Sequence, residues 1–201
     1  MNITSALKIL NKDSKMQKLI KTYDYPDFEQ KNDYFQSLMR SIVFQQLNGK
    51  VANIIYQRLI KLLPNNKIIP REVLALPNEK MRQAGLSLQK INYIKNLADY
   101  FDNNLFNRNK VKKMSNEAIS IELIKVKGIG QWTVDMFLIF TLNRLDVMPY
   151  SDLGIRKGMK TLFNLNDLPT KEEMKNLSRK WKPYRTVACC YLWKFADDES
   201  K

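Results

Sequence analysis

The chain has 201 residues, 44% of them apolar, which is enough to bury one sizeable core or two small ones. Lys and Arg number 34 against 20 acids, and the resulting +14 suits a polyanion such as nucleic acid or an anionic membrane surface. The absence of histidine excludes triads with a His base, zinc sites of the His type and His general acids, and two cysteines are too few for an iron-sulfur cluster held by four thiolates.

No stretch approaches the roughly 18 to 20 consecutive apolar residues of a membrane-spanning helix, the best run being Met136 to Phe140. The N-terminus, MNITSALKILNKDSK, is too short in apolar length for a signal peptide, so a soluble intracellular protein is expected. Cys189 and Cys190 are neighbours whose Cα atoms lie about 3.8 Å apart, too close for an ordinary bridge, and they read as small core residues in a reducing compartment.

The apolar spacing is helical nearly throughout. Phe35, Leu38, Met39, Ile42 and Val43 mark one buried helix face, and Asn48-Gly49 interrupts it. Val51, Ile54, Ile55 and Leu59 give a second helix that stops near Pro64. Short helices follow at Arg71 to Leu74 and Glu79 to Ala84, with Gly85 as a left-handed stop. Ser87 caps a helix through Ile91, Ile94, Leu97, Ala98 and Phe101, and the polar run DNNLFNRNKVKK from Asp102 reads as a loop. SNEAISIELIKV is helical, and after Asp152 a basic amphipathic helix runs to about Phe163. Thr170 with Glu173 has capping-box spacing, and Pro183 is expected to open the last helix, PYRTVACCYLWKF. With no strand pattern and no repeat, the expected fold class is all-α, with about ten helices.

Between SNEAISIELIKV and the apolar QWTVDMFLIF lies Val126-Lys127-Gly128-Ile129-Gly130, the pattern of a helix-hairpin-helix. Glycines permit the tight reversal and close backbone approach. Outward N-H groups at Gly130 and in the first turn of the next helix would take an anion, because they have no partner inside the helix. A DNA phosphate fits there, with Lys125 and Lys127 adding salt-dependent attraction. An ordinary interhelical turn would use the same glycines.

KGIGQWTVDMFLIF followed by DVMPYSDLGIRKG resembles the helix-hairpin-helix base-excision glycosylases, in the alkylation branch of 3-methyladenine DNA glycosylase II and its fungal relatives. SIVFQQLNGKVANIIYQRL, AGLSLQKINYIKNLADYF and WKPYRTVACCYLW match the same branch, so the resemblance runs from about Tyr34 to Phe195 in family order. It implies a two-lobed helical fold with a DNA-binding cleft between lobes, 34–146 forming the lobe with the hairpin and 1–33 plus 147–201 the other. The implied activity is hydrolysis of the N-glycosidic bond of alkylated purines, 3-methyladenine and 7-methylguanine, by base flipping in double-stranded DNA. A monomer is expected, at the nucleoid of a bacterial cytoplasm or in a eukaryotic nucleus. A catalytically silent DNA-binding module, or a glycosylase for ethenoadenine or a deaminated base, are the alternatives.

By its place in the pattern, Asp152 matches the family's catalytic aspartate. A fixed carboxylate stabilises the oxocarbenium-like sugar left when the glycosidic bond breaks, and it can also handle the attacking water. The competing role is an N-cap for LGIRKGMKTLF, and both can coexist. Ser151 stands where relatives often carry a second acid. Trp132 and Trp193 match aromatic positions of the family's base pocket, where ring faces would stack on a flipped cationic base, although two large rings also suit a helical core. Trp132 also stands where bifunctional relatives place a Schiff-base lysine, which implies a monofunctional enzyme. In QQLN, Gln46 matches the wedge that fills the gap left by a flipped base, with Leu47 beside it. The resemblance further implies a monovalent cation on the backbone carbonyls of Ile124, Val126 and Gly128, and no iron-sulfur cluster.

Overall fold

A computed structural model describes residues 3–25, 33–103, 106 and 108–198. Among the described residues there is no strand. The helices are α1 (Ile3–Leu10), α2 (Ser14–Thr22), α3 (Tyr34–Phe44), α4 (Gly49–Lys61), α5 (Pro70–Ala75), α6 (Asn78–Gln83) and α7 (Leu88–Asp102). They continue with α8 (Arg108–Lys113), α9 (Asn116–Ile124), α10 (Gln131–Phe140), α11 (Leu153–Phe163), α12 (Lys171–Ser178) and α13 (Arg185–Asp198). Short 3-10 turns lie at Pro64–Asn66 and Arg179–Trp181.

Side chains at the helix starts explain where the elements begin. Asp33, Asn48, Ser87 and Ser115 each accept a hydrogen bond from an amide in the turn that follows, ahead of α3, α4, α7 and α9. Each such cap contributes about 1 kcal/mol. Thr170 and Glu173 form the full reciprocal capping box at α12.

Two expectations are corrected. The run from Asp102, expected to be a loop, is helical over Arg108–Lys113: Val111 is wholly buried, and Lys110, Lys112 and Lys113 are good helix formers on the solvent side. Pro183 does not open the last helix, which starts at Arg185; the Tyr184 amide donates to the Trp181 carbonyl at 2.7 Å, closing the segment back onto the preceding turn.

The chain divides into two compact units, 1–30 with 138–201, and 31–137. In the first unit Leu10, Met16, Ile155, Met159, Trp181 and Leu192 share one core. Burying side chains of this size contributes about 1.5–3 kcal/mol each. The wholly buried Trp181 donates its indole N-H to Asp13 Oδ2 at 2.8 Å, and the same carboxylate caps α2 and meets Lys180 Nζ at 3.0 Å. At Gly158 a Cβ would come within 2.7 Å of the Leu192 carbonyl oxygen, so α11 and α13 pack at a distance that only glycine allows.

In the second unit α7 packs against α3 and α5, with Leu38, Ile42, Val73, Ile91, Ile94 and Leu97 fully buried. Cys189 and Cys190 are buried free thiols, and burial pushes the Cys190 thiol up to about 12, which keeps it neutral and unreactive. No described helix is long and apolar enough to cross a membrane.

Candidate functional site

The glycine turn is built from α9 downwards. The Val126 amide donates to the Leu123 carbonyl and the Ile129 amide to the Val126 carbonyl, both at 3.0 Å, while Val126 and Ile129 are buried and pin the turn to the unit's core. Gly128 has φ +103°, and a Cβ there would lie 2.3 Å from Cγ of Tyr93, so both backbone and space require glycine. Gly130 differs: nothing lies within 4 Å of where its Cβ would be. The residue preceding α10 therefore has no side chain to cap the helix, and the space a Cβ would take there is open.

Beside the turn runs an open groove of about 440 Å³ lined by Gln45, Gln46, Ser87, Gln89, Lys90 and Tyr93 together with Gly128 to Gly130. No carboxylate lines it. The structure thus brings Gln46 together with Gly128 and Gly130. Gln46 adopts φ +56°, and Leu47 beside it is exposed.

Two side chains that the sequence reading missed hold this segment. Gln45 Nε2 donates to the Gly128 carbonyl at 3.1 Å and to Thr133 Oγ1 at 3.3 Å. Lys90 Nζ donates to the carbonyls of Val43 at 2.7 Å and Gln45 at 2.8 Å, closing the end of α3. Burial lowers the Lys90 amine from its ordinary value. The signal available was the doubled glutamine of QQLN, whose first member faces the hairpin.

The two lysines of the turn are not equivalent. Lys125 Nζ is paired with Glu122 Oε2 at 2.8 Å, and that pair, with a hydrogen bond from Tyr100, holds the Glu122 carboxyl below its usual value. Lys127 lines a second groove, of about 620 Å³, with Gln89, Asn92, Tyr93, Lys95 and Asn96.

Asp152 is 8% exposed, and its Oδ1 accepts from the Ile155 amide at 2.9 Å and from the Trp193 indole N-H at 2.9 Å. The cap expected of Asp152 is therefore real, and the same oxygen is fixed by a second donor. Trp193 also lies 5.6 Å from Phe140 at 32° between ring planes. Gly154 leaves room for this pair, since its Cβ would stand 3.0 Å from Trp193 Cδ1 and 3.2 Å from Asp152 Oδ1. Trp132, by contrast, is 40% exposed in the first turn of α10 and lines neither groove.

The loop leading to Asp152 is braced by α13. Arg185 grips Asp146 through Nε at 2.6 Å and Nη2 at 3.0 Å, and donates through Nη1 to the Tyr150 hydroxyl at 3.1 Å. Burial works against the Arg185 charge, but Asp146 outweighs it and raises the guanidinium above its ordinary value. The Val147 amide donates to Thr186 Oγ1 at 3.0 Å, and the Thr186 amide to the Leu145 carbonyl at 2.9 Å. A carboxylate held this firmly can stabilise a positive charge without first reorganising.

Comparison with known proteins identifies the family. The model of the HhH-GPD superfamily base excision DNA repair proteins matches residues 39–183. DNA-3-methyladenine glycosylase 1 of Schizosaccharomyces pombe is 37% identical over 182 residues, covering 90% of this chain and 80% of that protein. Among solved structures, the S. pombe 3-methyladenine DNA glycosylase in complex with abasic DNA superposes with a TM-score of 0.86 at 36% identity, over 94% of this chain and 95% of that one. The DNA-3-methyladenine glycosidase of Bacillus halodurans gives 0.87 at 32% identity, over 99% and 92%. The chain belongs to the HhH-GPD superfamily of base excision DNA repair proteins.

Proposed function

We propose that this protein is a monofunctional DNA glycosylase that hydrolyses alkylated, mainly cationic, purines from duplex DNA and leaves an abasic site. The observation that carries the reading is Asp152, a buried carboxylate whose Oδ1 is fixed by the Ile155 amide and the Trp193 indole. It follows a hairpin whose Gly130 has open space where a side chain would be, leaving room for a phosphate at the start of α10. The names of the relatives support the same chemistry.

In this reading the hairpin amides and Lys127 hold the phosphate backbone while Gln46 and Leu47 fill the gap left by the flipped nucleotide. A 3-methyladenine or 7-methylguanine nucleotide carries its positive charge on the base. As the bond from sugar C1′ to the base nitrogen breaks, the electron pair goes to the base, which leaves neutral, and the charge passes to the sugar. Asp152 stabilises that cation, and water adds its oxygen at C1′ and loses a proton to complete hydrolysis. No acid is needed for the leaving group, which suits a chain without histidine. Trp193 orients Asp152, and Trp132 offers its exposed ring to the base. No lysine stands two residues after Gly130, which favours hydrolysis over Schiff-base chemistry.

A monovalent cation at the hairpin belongs to this proposal. The Val126 carbonyl already accepts from Ile129 and the Gly128 carbonyl from Gln45, so each keeps one lone pair for an ion. Neutral carbonyls suit a singly charged hard cation, which would neutralise phosphate charge there.

Incubation with methylated duplex DNA tests the reading: release of free 3-methyladenine and 7-methylguanine is expected, with no covalent adduct after borohydride treatment on abasic DNA. Folded protein that binds abasic DNA but releases no base would instead be a silent DNA-binding module. Release of ethenoadenine or deaminated bases alone would reassign the lesion class.

A further inference from the structure

The larger groove of the second unit is not explained by the hairpin's grip on a phosphate. It runs along the outer face of α7, and Gln89 and Tyr93 line both it and the hairpin groove, so the two are one continuous surface. Its wall is made of Gln89, Asn92, Tyr93, Lys95, Asn96 and Lys127, and not one carboxylate is among them in a chain that carries 20. Lys95 is spent inside the fold, its Nζ donating to the carbonyls of Leu74 at 3.1 Å and Leu76 at 2.8 Å. Gln89 leans on the Tyr93 hydroxyl at 2.6 Å. Asn92, Asn96 and Lys127 remain with donors turned to solvent.

We propose that this groove is a second seat for the DNA sugar-phosphate backbone, continuing the strand that the hairpin holds. The proposal rests on the DNA-glycosylase reading above and deepens it. The chemistry fits a strand rather than a lone anion. The seven helical steps from Gln89 to Asn96 span about 10.5 Å, and a strand of duplex advances about 3.4 Å per nucleotide, so the row matches about three nucleotides. Neutral amides donate to phosphate and sugar oxygens without reading bases, and Lys127 at the junction supplies the charge. Tyr93 serves both parts: its ring fixes Gly128 in the turn, and it lines both grooves.

Two measurements on the full chain test this, with abasic duplex as the probe. An iron chelate attached through Asn96→Cys labels one site, because Cys189 and Cys190 are buried. At protein concentrations that saturate the duplex, hydroxyl-radical cleavage should fall within a window of a few nucleotides on one strand. Cleavage spread over both strands, or none, would overturn the proposal. Independently, Lys127→Gln should reduce the slope of log affinity against log salt by about 0.9. Asn92→Ala with Asn96→Ala should weaken binding roughly tenfold with the slope unchanged. Full affinity in the double variant would also overturn it. Wild-type protein assayed in parallel on methylated DNA separates the two levels: bound DNA and released base, alongside diffuse cleavage by the Asn96→Cys conjugate, reject this groove alone, whereas no binding at all rejects the glycosylase reading itself.

Discussion

Two helix starts in this molecule are built in opposite ways. Ahead of α10 stands Gly130, with no side chain and open space where one would be, so that position supplies no side-chain cap. Ahead of α11 stands Asp152, whose own carboxylate takes the Ile155 amide and a tryptophan N-H besides. The first is an electropositive helix end with open space beside it. The second is filled by an anion whose position is fixed from two sides. Both are ordinary devices of helix capping, and under the proposed function their difference divides the labour between holding a phosphate and facing a sugar cation.

The two glycines of the turn should respond most differently to substitution. Gly128→Ala combines a left-handed backbone with a 2.3 Å approach to Tyr93, and is expected to cost about 2–5 kcal/mol and to take DNA affinity with it. Gly130→Ala should stay within about 0.5 kcal/mol of wild type in denaturant unfolding. Equal losses for the two would remove the distinction between the turn's glycines.

Gly130→Asp puts the α11 device at the α10 start. Unfolding stability should hold or rise by a few tenths of a kcal/mol, because aspartate is a good cap, while affinity for abasic DNA falls roughly tenfold. An unchanged affinity would mean that no phosphate sits there.

Trp193→Phe keeps a ring over Phe140 and removes one donor to Asp152. Single-turnover excision should slow roughly tenfold with DNA affinity intact, and a wild-type rate would show that the indole hydrogen bond is incidental. The smallest effect is expected at Lys125, already engaged with Glu122: Lys125→Gln should change the salt slope by clearly less than the ~0.9 expected of one lysine on phosphate. A full unit's change would place Lys125 on the DNA after all.

Much of this was legible in the sequence where chemistry is local. Ser87, Thr170 with Glu173, and Asp152 cap the helices they were expected to cap, because a cap is decided within four residues. The Arg108–Lys113 helix was missed because one buried valine, Val111, supplies its anchor, and a single apolar residue leaves no periodicity to read. The helix start at Arg185 was misplaced because Tyr184 bonds backwards to Trp181, a contact that proline's usual place at a first turn does not reveal. At the site, the motif named Gln46, Gly128 and Asp152 but not what steadies them. Gln45, Lys90 and Tyr93 act through packing between segments distant in sequence, and no spacing rule encodes that.

The division between the two helix starts is tested most directly on Asp152→Asn. Asparagine caps a helix as well as aspartate does, so the fold is preserved while the charge is lost. Single-turnover excision of 7-methylguanine should fall by on the order of a hundred- to a thousandfold, with affinity for abasic DNA unchanged. Excision that survives the substitution would reduce Asp152 to a cap and contradict the central claim.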